Sequence, residues 1–221
     1  MNANNRSNRR RFPGAPPTAE DAVSALPPEP LPPDPEDKKV AQPAENAPMV
    51  LVPVGTIDEP LLERVAKALQ DTFQRPATVH RSLPVPKYAY NPTRAQYHSA
   101  AILKRVETLR VTDWDAAIGI VDVDLFVPEV PFIFGEADRS TRSAIISLTR
   151  LRPETGTTES KRELTFKLLM SECIHQIGMI RGLAHCPNNR CVMFFSATVQ
   201  DTDKKGMAFC ANCRKRLMSD Y

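Results

Sequence analysis

Apolar residues recur along the chain in two rhythms, one of strands and one of helices. Met49-Val50-Leu51-Val52-Pro53-Val54 is a nearly continuous apolar run closed by Gly55, the pattern of a buried strand ended by a turn. Leu61, Leu62, Val65, Leu69 and Phe73 follow at helical spacing, and Asp58, Glu59 and Pro60 ahead of them are helix-start signals. Ala77 to Ser82 reads as a second strand. Thr93 to Leu109 reads as a second helix, with Ile102, Val106 and Leu109 on its apolar face. Ala116 to Val123 and Ser143 to Leu148 are further strands, with a shorter one at Phe132-Ile133-Phe134. Glu159 to Arg181 reads as a long helix stopped at Gly182. Strands alternating with helices predict an α/β fold over residues 49–182, followed by a smaller part, 183–221, that carries most of the cysteines.

The first 48 residues break this pattern. Of the 21 prolines, 11 lie there, and the run Leu26-Pro27-Pro28-Glu29-Pro30-Leu31-Pro32-Pro33-Asp34-Pro35 offers few backbone donors and no packed face. Residues 1–48 are therefore expected to form a disordered proline-rich arm that samples extended polyproline II and acts as a spacer. Residues 49–221 are expected to form the folded part. Met1 to Phe12 contains four arginines but no apolar segment after them, so it does not read as a secretory signal. No apolar run approaches the ~18 residues that a membrane-spanning helix needs. The net charge of +3, from 29 basic and 26 acidic residues, gives no strong nucleic-acid signature. These features predict a cytoplasmic protein without a membrane partner.

Chemistry concentrates near the end of the long helix, in His175-Gln176-Ile177-Gly178-Met179-Ile180-Arg181-Gly182-Leu183-Ala184-His185-Cys186. His175 and Met179 are four apart and share a helical face, while Gly182 lets the chain turn so that His185 swings back toward it. The spacing is that of H-E-x-x-H-x-x-G-x-x-H, in which two helical histidines and one beyond a glycine turn hold zinc and the glutamate is general base. Gln176 occupies the glutamate position and Met179 that of the second histidine. Downstream, Cys186 and Cys191 form C-x4-C, and Cys210 and Cys213 form C-x-x-C. Four thiolates so spaced suit a closed, tetrahedral structural zinc site.

With these motifs the chain resembles the archaemetzincins, a family of the metzincin clan of zinc metallopeptidases. The blocks Tyr90-Asn91-Pro92-Thr93-Arg94-Ala95-Gln96-Tyr97, Gly119-Ile120-Val121-Asp122-Val123-Asp124-Leu125-Phe126 and Phe132-Ile133-Phe134-Gly135-Glu136-Ala137 extend the resemblance over residues 50–221. It implies a metzincin-like mixed sheet with an active-site helix and a small zinc-binding C-terminal subdomain. Carried over position by position, His175 and His185 match catalytic zinc ligands, Met179 falls on the third ligand position, and Gln176 falls on the general base. Gly182 matches the turn and Met193 the methionine beneath the metal. Cys186, Cys191, Cys210 and Cys213 match the second zinc site.

The two substitutions direct the functional expectation. A hydrolytic zinc needs three protein ligands and a bound water. A neutral, soft thioether suits Cu(I) better than Zn²⁺, and an amide cannot take a proton from water at neutral pH. The expectation is a pseudopeptidase that keeps one structural zinc and a cleft for a peptide or protein segment. Phe132–Phe134 is a candidate wall of that cleft. The alternatives are a zinc-dependent metallopeptidase with an altered catalytic site and a nucleic-acid zinc module using Arg190, Arg214, Lys215 and Arg216. Glu172 reads as a helix-face charge, Cys173 as core, and Asp122 and Asp124 as structural or cleft-wall carboxylates.

Overall fold

The structure, a computed structural model of the chain, describes residues 43–44, 46–109 and 113–219. The proline-rich arm, apart from its last few positions, lies outside the described residues. In chain order the elements are β1 (Met49–Val54), α1 (Glu59–Phe73), β2 (Ala77–Val79), β3 (Tyr90–Asn91), β4 (Gln96–His98), α2 (Ser99–Glu107), β5 (Ala116–Val121), β6 (Leu125–Phe126), β7 (Gly135–Asp138), β8 (Ser143–Ser147), α3 (Thr158–Ile180), α4 (Val199–Lys205) and α5 (Ala211–Ser219).

Five strands form the main sheet in the order β2-β1-β5-β8-β7. The first four run parallel, and β7 lies antiparallel to β8 at the edge, with Gly135 opposite Ile146 and Asp138 opposite Ser143. Side chains of the central strands alternate between two apolar cores. Met49, Leu51, Ile118, Ile120, Ala144 and Ile146 join Leu62 and Leu69 of α1 and Leu168 and Ile174 of α3. Val50, Val52, Val54, Val121 and Ile145 join Ile102, Leu103 and Val106 of α2 on the opposite face. Burial on both faces is why these strands read as unbroken apolar runs. Each fully buried Leu or Ile is worth about 1.5–3 kcal/mol over its exposed state, so this double burial is the main stabilising contribution.

Two sequence expectations change. The helix expected from Thr93 begins only at Ser99. Pro92 holds Asn91 extended, and the Asn91 side-chain oxygen accepts from the backbone N–H groups of Thr93 and Arg94 at 3.0 and 3.2 Å. That local turn competes with helix, and the chain instead makes the β3–β4 hairpin, pairing Tyr90 with Tyr97. Phe132-Ile133-Phe134 contributes a single bridge, Ile133 to Leu125, and the continuous ladder starts at Gly135. Phe132 and Phe134 pack edge to face at 5.4 Å, and the Arg150 guanidinium lies 4.0 Å from the Phe132 ring centre. The small sheet β3-β4-β6 sits beside them.

α3 is buried along most of its last three turns, against the sheet, α1 and α4. The segment after it folds back onto the same core: Cys191, Val192, Met193 and Cys213 belong to the apolar cluster that contains Leu168 and Ile177. Among the described residues no helix is long and apolar enough to cross a membrane.

Candidate functional site

α3 delivers the first half of the site. Its start is capped by Thr157, whose side chain accepts from the Ser160 backbone N–H at 3.2 Å. Its end is closed by two backbone bonds, Gly182 N–H to Met179 O and Leu183 N–H to Gly178 O, both 2.9 Å. This is the Schellman arrangement, which needs a left-handed residue at its turn, and Gly182 supplies it with φ +83. The Arg139 guanidinium crowds the place where a Cβ would sit, 2.9 Å away. A 2.6 Å ion pair from Arg181 to the buried Asp115 ties this end of the helix to the start of β5.

The turn brings His185 back over His175, as the spacing predicts. The two rings stack with centres 5.4 Å apart and planes 25° from parallel. Phe195 meets His185 edge-on at 5.1 Å. His175 is buried, and its Nδ1 lies 2.8 Å from the Val192 carbonyl oxygen. A carbonyl only accepts, so Nδ1 carries the proton and Nε2 keeps its lone pair, the orientation that a carbonyl partner gives a metal-ligating histidine. Burial, followed by the Lys205 charge, pushes His175 down to about 4. The same two causes lower His185. Met193 is fully buried beneath the helix, so close that a Cβ on Gly178 would collide with its Sδ.

Met179 stands one turn beyond His175 on α3 and is partly buried. Gln176 is buried against β7, its Nε2 only 2.8 Å from where a Cβ of Gly135 would be. The position that a base would occupy is thus filled by an amide packed against the sheet edge.

Behind the histidine lies a group that sequence reasoning missed. Lys205, at the end of α4, is 2% exposed, and its Nζ is 2.8 Å from Glu172 Oε1. The Thr202 hydroxyl donates to the same oxygen at 3.3 Å, and Lys205 Nζ comes within 3.5 Å of His175 Nδ1. Glu172 is therefore a buried ion-pair partner and not a helix-face charge. Burial alone would raise its pKa, but the charges of Lys205 and His175 and the two hydrogen bonds bring it below the usual value. The Thr198-x-x-Asp201 capping box was the available sign of α4, with Thr198 Oγ1 accepting from Asp201 N at 3.2 Å and Asp201 Oδ2 from Thr198 N at 3.0 Å. Cys173 is buried core, and burial pushes its thiol well above the usual range.

The cysteine set is more complete. Cys186, Cys191, Cys210 and Cys213 place their sulfurs within 4.8 Å of one another. Cys186 Sγ and Cys210 Sγ are 3.8 Å apart, which matches the edge of a sulfur tetrahedron around a metal at ~2.3 Å. Backbone bonds shape the cluster: Cys186 N–H to Met193 O and Cys191 N–H to Asn188 O, both 2.9 Å. The Cys210 N–H donates to Cys191 Sγ at 3.3 Å. The backbone N–H of Cys213 leads in lowering Cys210 to about 7, while burial raises Cys186 and Cys213. This donor set fits zinc. The histidine site, with two imidazoles, a thioether and an amide, does not fit a hydrolytic zinc.

Asp122 and Asp124 are not a free carboxylate pair. Arg152 binds Asp122 at 2.6 Å, and Arg150 holds both oxygens of Asp124 at 2.6 and 2.7 Å. A cavity of about 520 Å³ opens between the first turns of α1 and α3, lined by Arg64, Arg152, Lys161 and Arg162 among others; none of the motif residues lines it.

A mixed sheet with one antiparallel edge strand, a long helix ended at a glycine turn, a histidine returning over that helix and a buried methionine beneath it together define a chain of metzincin build. The match to known proteins agrees. The model of peptidase family M54 covers residues 62–219. The archaemetzincin of Methanocaldococcus jannaschii is 38% identical over 166 residues, 75% of this chain and 89% of the relative. That of Thermococcus kodakarensis is 37% identical over 176 residues, 77% and 95% of the two chains. The crystal structure of archaemetzincin from Archaeoglobus fulgidus, complexed with malonate, superposes with a TM-score of 0.66 at 31% identity, covering 76% of this chain and 99% of that one. The archaemetzincin structure from Methanopyrus kandleri gives 0.70 at 26% identity over 80% and 97%. The chain belongs to peptidase family M54, the archaemetzincins.

Proposed function

We propose that this chain is a non-catalytic archaemetzincin, a pseudopeptidase that keeps a structural zinc and binds a peptide or protein segment in its cleft. One observation carries the reading: a buried amide, Gln176, lies against β7 at the general-base position, with Met179 one turn along the same helix. Loss of a general base costs on the order of 10²–10⁴ in rate, and a missing third ligand removes the metal-bound nucleophile as well. Glu172 is no replacement, since Lys205 and Thr202 already engage it. Cys186, Cys191, Cys210 and Cys213 would hold the zinc with no open position, as a structural site does.

The cleft reading is supported by β7, which has one neighbouring strand in the main sheet and is half-buried. Such an edge can accept an extended segment by backbone hydrogen bonding, with Phe132 at its approach. Four of the five cysteines grouped within 4.8 Å as a metal-binding set support a reducing, cytoplasmic setting.

The test is zinc per chain by native mass spectrometry together with cleavage of a broad peptide library. One zinc, lost in Cys210→Ser, and no cleavage is the expected result. Cleavage by the wild-type chain that disappears in His175→Ala would overturn it. That outcome would favour the second reading, an altered but working zinc peptidase, which draws on the unprotonated Nε2 left by the Nδ1 bond to Val192.

A further inference from the structure

We propose that the histidine site takes monovalent copper, with His175, His185 and Met179 as its donors and a preference for Cu⁺ over Zn²⁺. This rests on the reading of the site as one without hydrolytic zinc, and it names the cation that the substituted donors suit.

Geometry is the first support. The bond from His175 Nδ1–H to the Val192 carbonyl, 2.8 Å, leaves Nε2 as the ring's free donor atom. His185 lies over the same ring at 5.4 Å. Met179 follows His175 by four residues in α3, hence on the same face. Two imidazoles and a thioether form a soft three-donor set. Thioether sulfur selects Cu(I), and imidazole binds copper readily. A filled-shell Cu⁺ is satisfied by two or three such donors, whereas Zn²⁺ in a closed site calls for four.

Charge is the second. Lys205 more than offsets its 2.8 Å partner Glu172 at both histidines, and Gln176 and Met179 are neutral. The site therefore has no net negative charge to offset a cation. The cost of removing an ion from water grows with the square of its charge, so a divalent ion pays roughly four times what a monovalent one does. A carboxylate at position 176 would shift that balance toward Zn²⁺, and this chain does not have one.

Enclosure is the third. His175 and Gln176 are each 5% exposed, while His185 and Phe195, which meet edge-on at 5.1 Å, are exposed, so the site is closed at its floor and open to an entering ion on the His185 side.

The cysteine cluster would itself capture copper, so the experiment begins from zinc-loaded full-length chain. It is titrated anaerobically with Cu⁺ held by bicinchoninate in ascorbate, and both metals are counted. One Cu⁺ is expected per chain with the zinc retained. Met179→Leu, which keeps the side-chain volume, should weaken copper at least tenfold without lowering the melting temperature, and His175→Ala should abolish uptake. Met179→His should shift the site toward Zn²⁺. X-ray absorption at the copper edge should show one sulfur and two nitrogen donors. Three results would each overturn the assignment: no uptake, uptake with one-for-one loss of zinc, or affinity unchanged in Met179→Leu. Peptide cleavage by the copper-free, zinc-loaded chain would remove the pseudopeptidase reading. Failed copper uptake without cleavage removes the copper assignment alone.

Discussion

The cysteine cluster and the histidine pair draw on one stretch of chain, residues 175–213, yet they differ in their donors. In the cluster both the placement and the chemistry of the donors are intact: four thiols, mutually within 4.8 Å. In the histidine site the placement follows the same motif, while Gln176 and Met179 stand where that motif has Glu and His. The reason is visible in the bonds. Gly182, Leu183 and the Val192 carbonyl orient the histidines through backbone groups, and those groups are indifferent to the side chains at positions 176 and 179. The shape of the site thus depends on backbone groups, and its chemistry on side chains that those groups do not constrain.

The contrast can be broken most forcefully at the cluster. Structural zinc contributes on the order of 10–16 kcal/mol of apparent binding energy in small domains. Cys191→Ser, or chelation of the wild-type chain, should therefore unfold the segment after α3. Amide hydrogen exchange should show protection lost over residues 183–219 and largely kept in β1, β5 and β8. Unchanged exchange would mean that the thiols pack without needing a metal.

The next effect lies between the two sites. Lys205→Met leaves Glu172 buried and unpaired, and breaking such a pair costs about 3–5 kcal/mol. Adding Glu172→Met should restore most of that loss, because the two buried charges vanish together. Chemical denaturation of the two variants checks this, and a double variant as unstable as the single one would assign Glu172 a further role.

The smallest effect is that of pH. His175 titrates at about 4 in the folded chain against 6.5 when free. Above 6.5 both states are neutral there and its contribution is fully present. As pH falls from 6.5 toward 4, the unfolded chain takes up a proton that the native one refuses, so about 3 kcal/mol of stability is lost. The lowered Glu172 extends the loss in the same direction at lower pH. His175→Asn, whose amide can still donate to Val192, should flatten the slope across that window. Equal slopes, both measured zinc-loaded, would mean that His175 does not titrate alone.

The central strands were legible because burial on both faces leaves short, β-branched apolar runs bounded by turn residues such as Gly55. α3 was legible from its glycine stop, and the cysteine spacing carried the cluster. β7 was not, because Gly135-Glu136-Ala137-Asp138 is a half-buried edge with no apolar signature. The β3–β4 hairpin hid behind a helix-like pattern that the Asn91 side chain overrides. Lys205 was invisible for another reason: 33 residues separate it from Glu172, and a lysine in sequence looks like surface until its partner is found.

Cys191 and Val192 are consecutive. The sulfur of one belongs to the cysteine cluster, and the carbonyl of the other fixes the tautomer of His175. Two adjacent residues thus serve two centres, one through its side chain and the other through its backbone. The cluster therefore lies one residue from the bond that orients the imidazole, and nitrogen NMR of His175 is expected to respond when the cluster is filled.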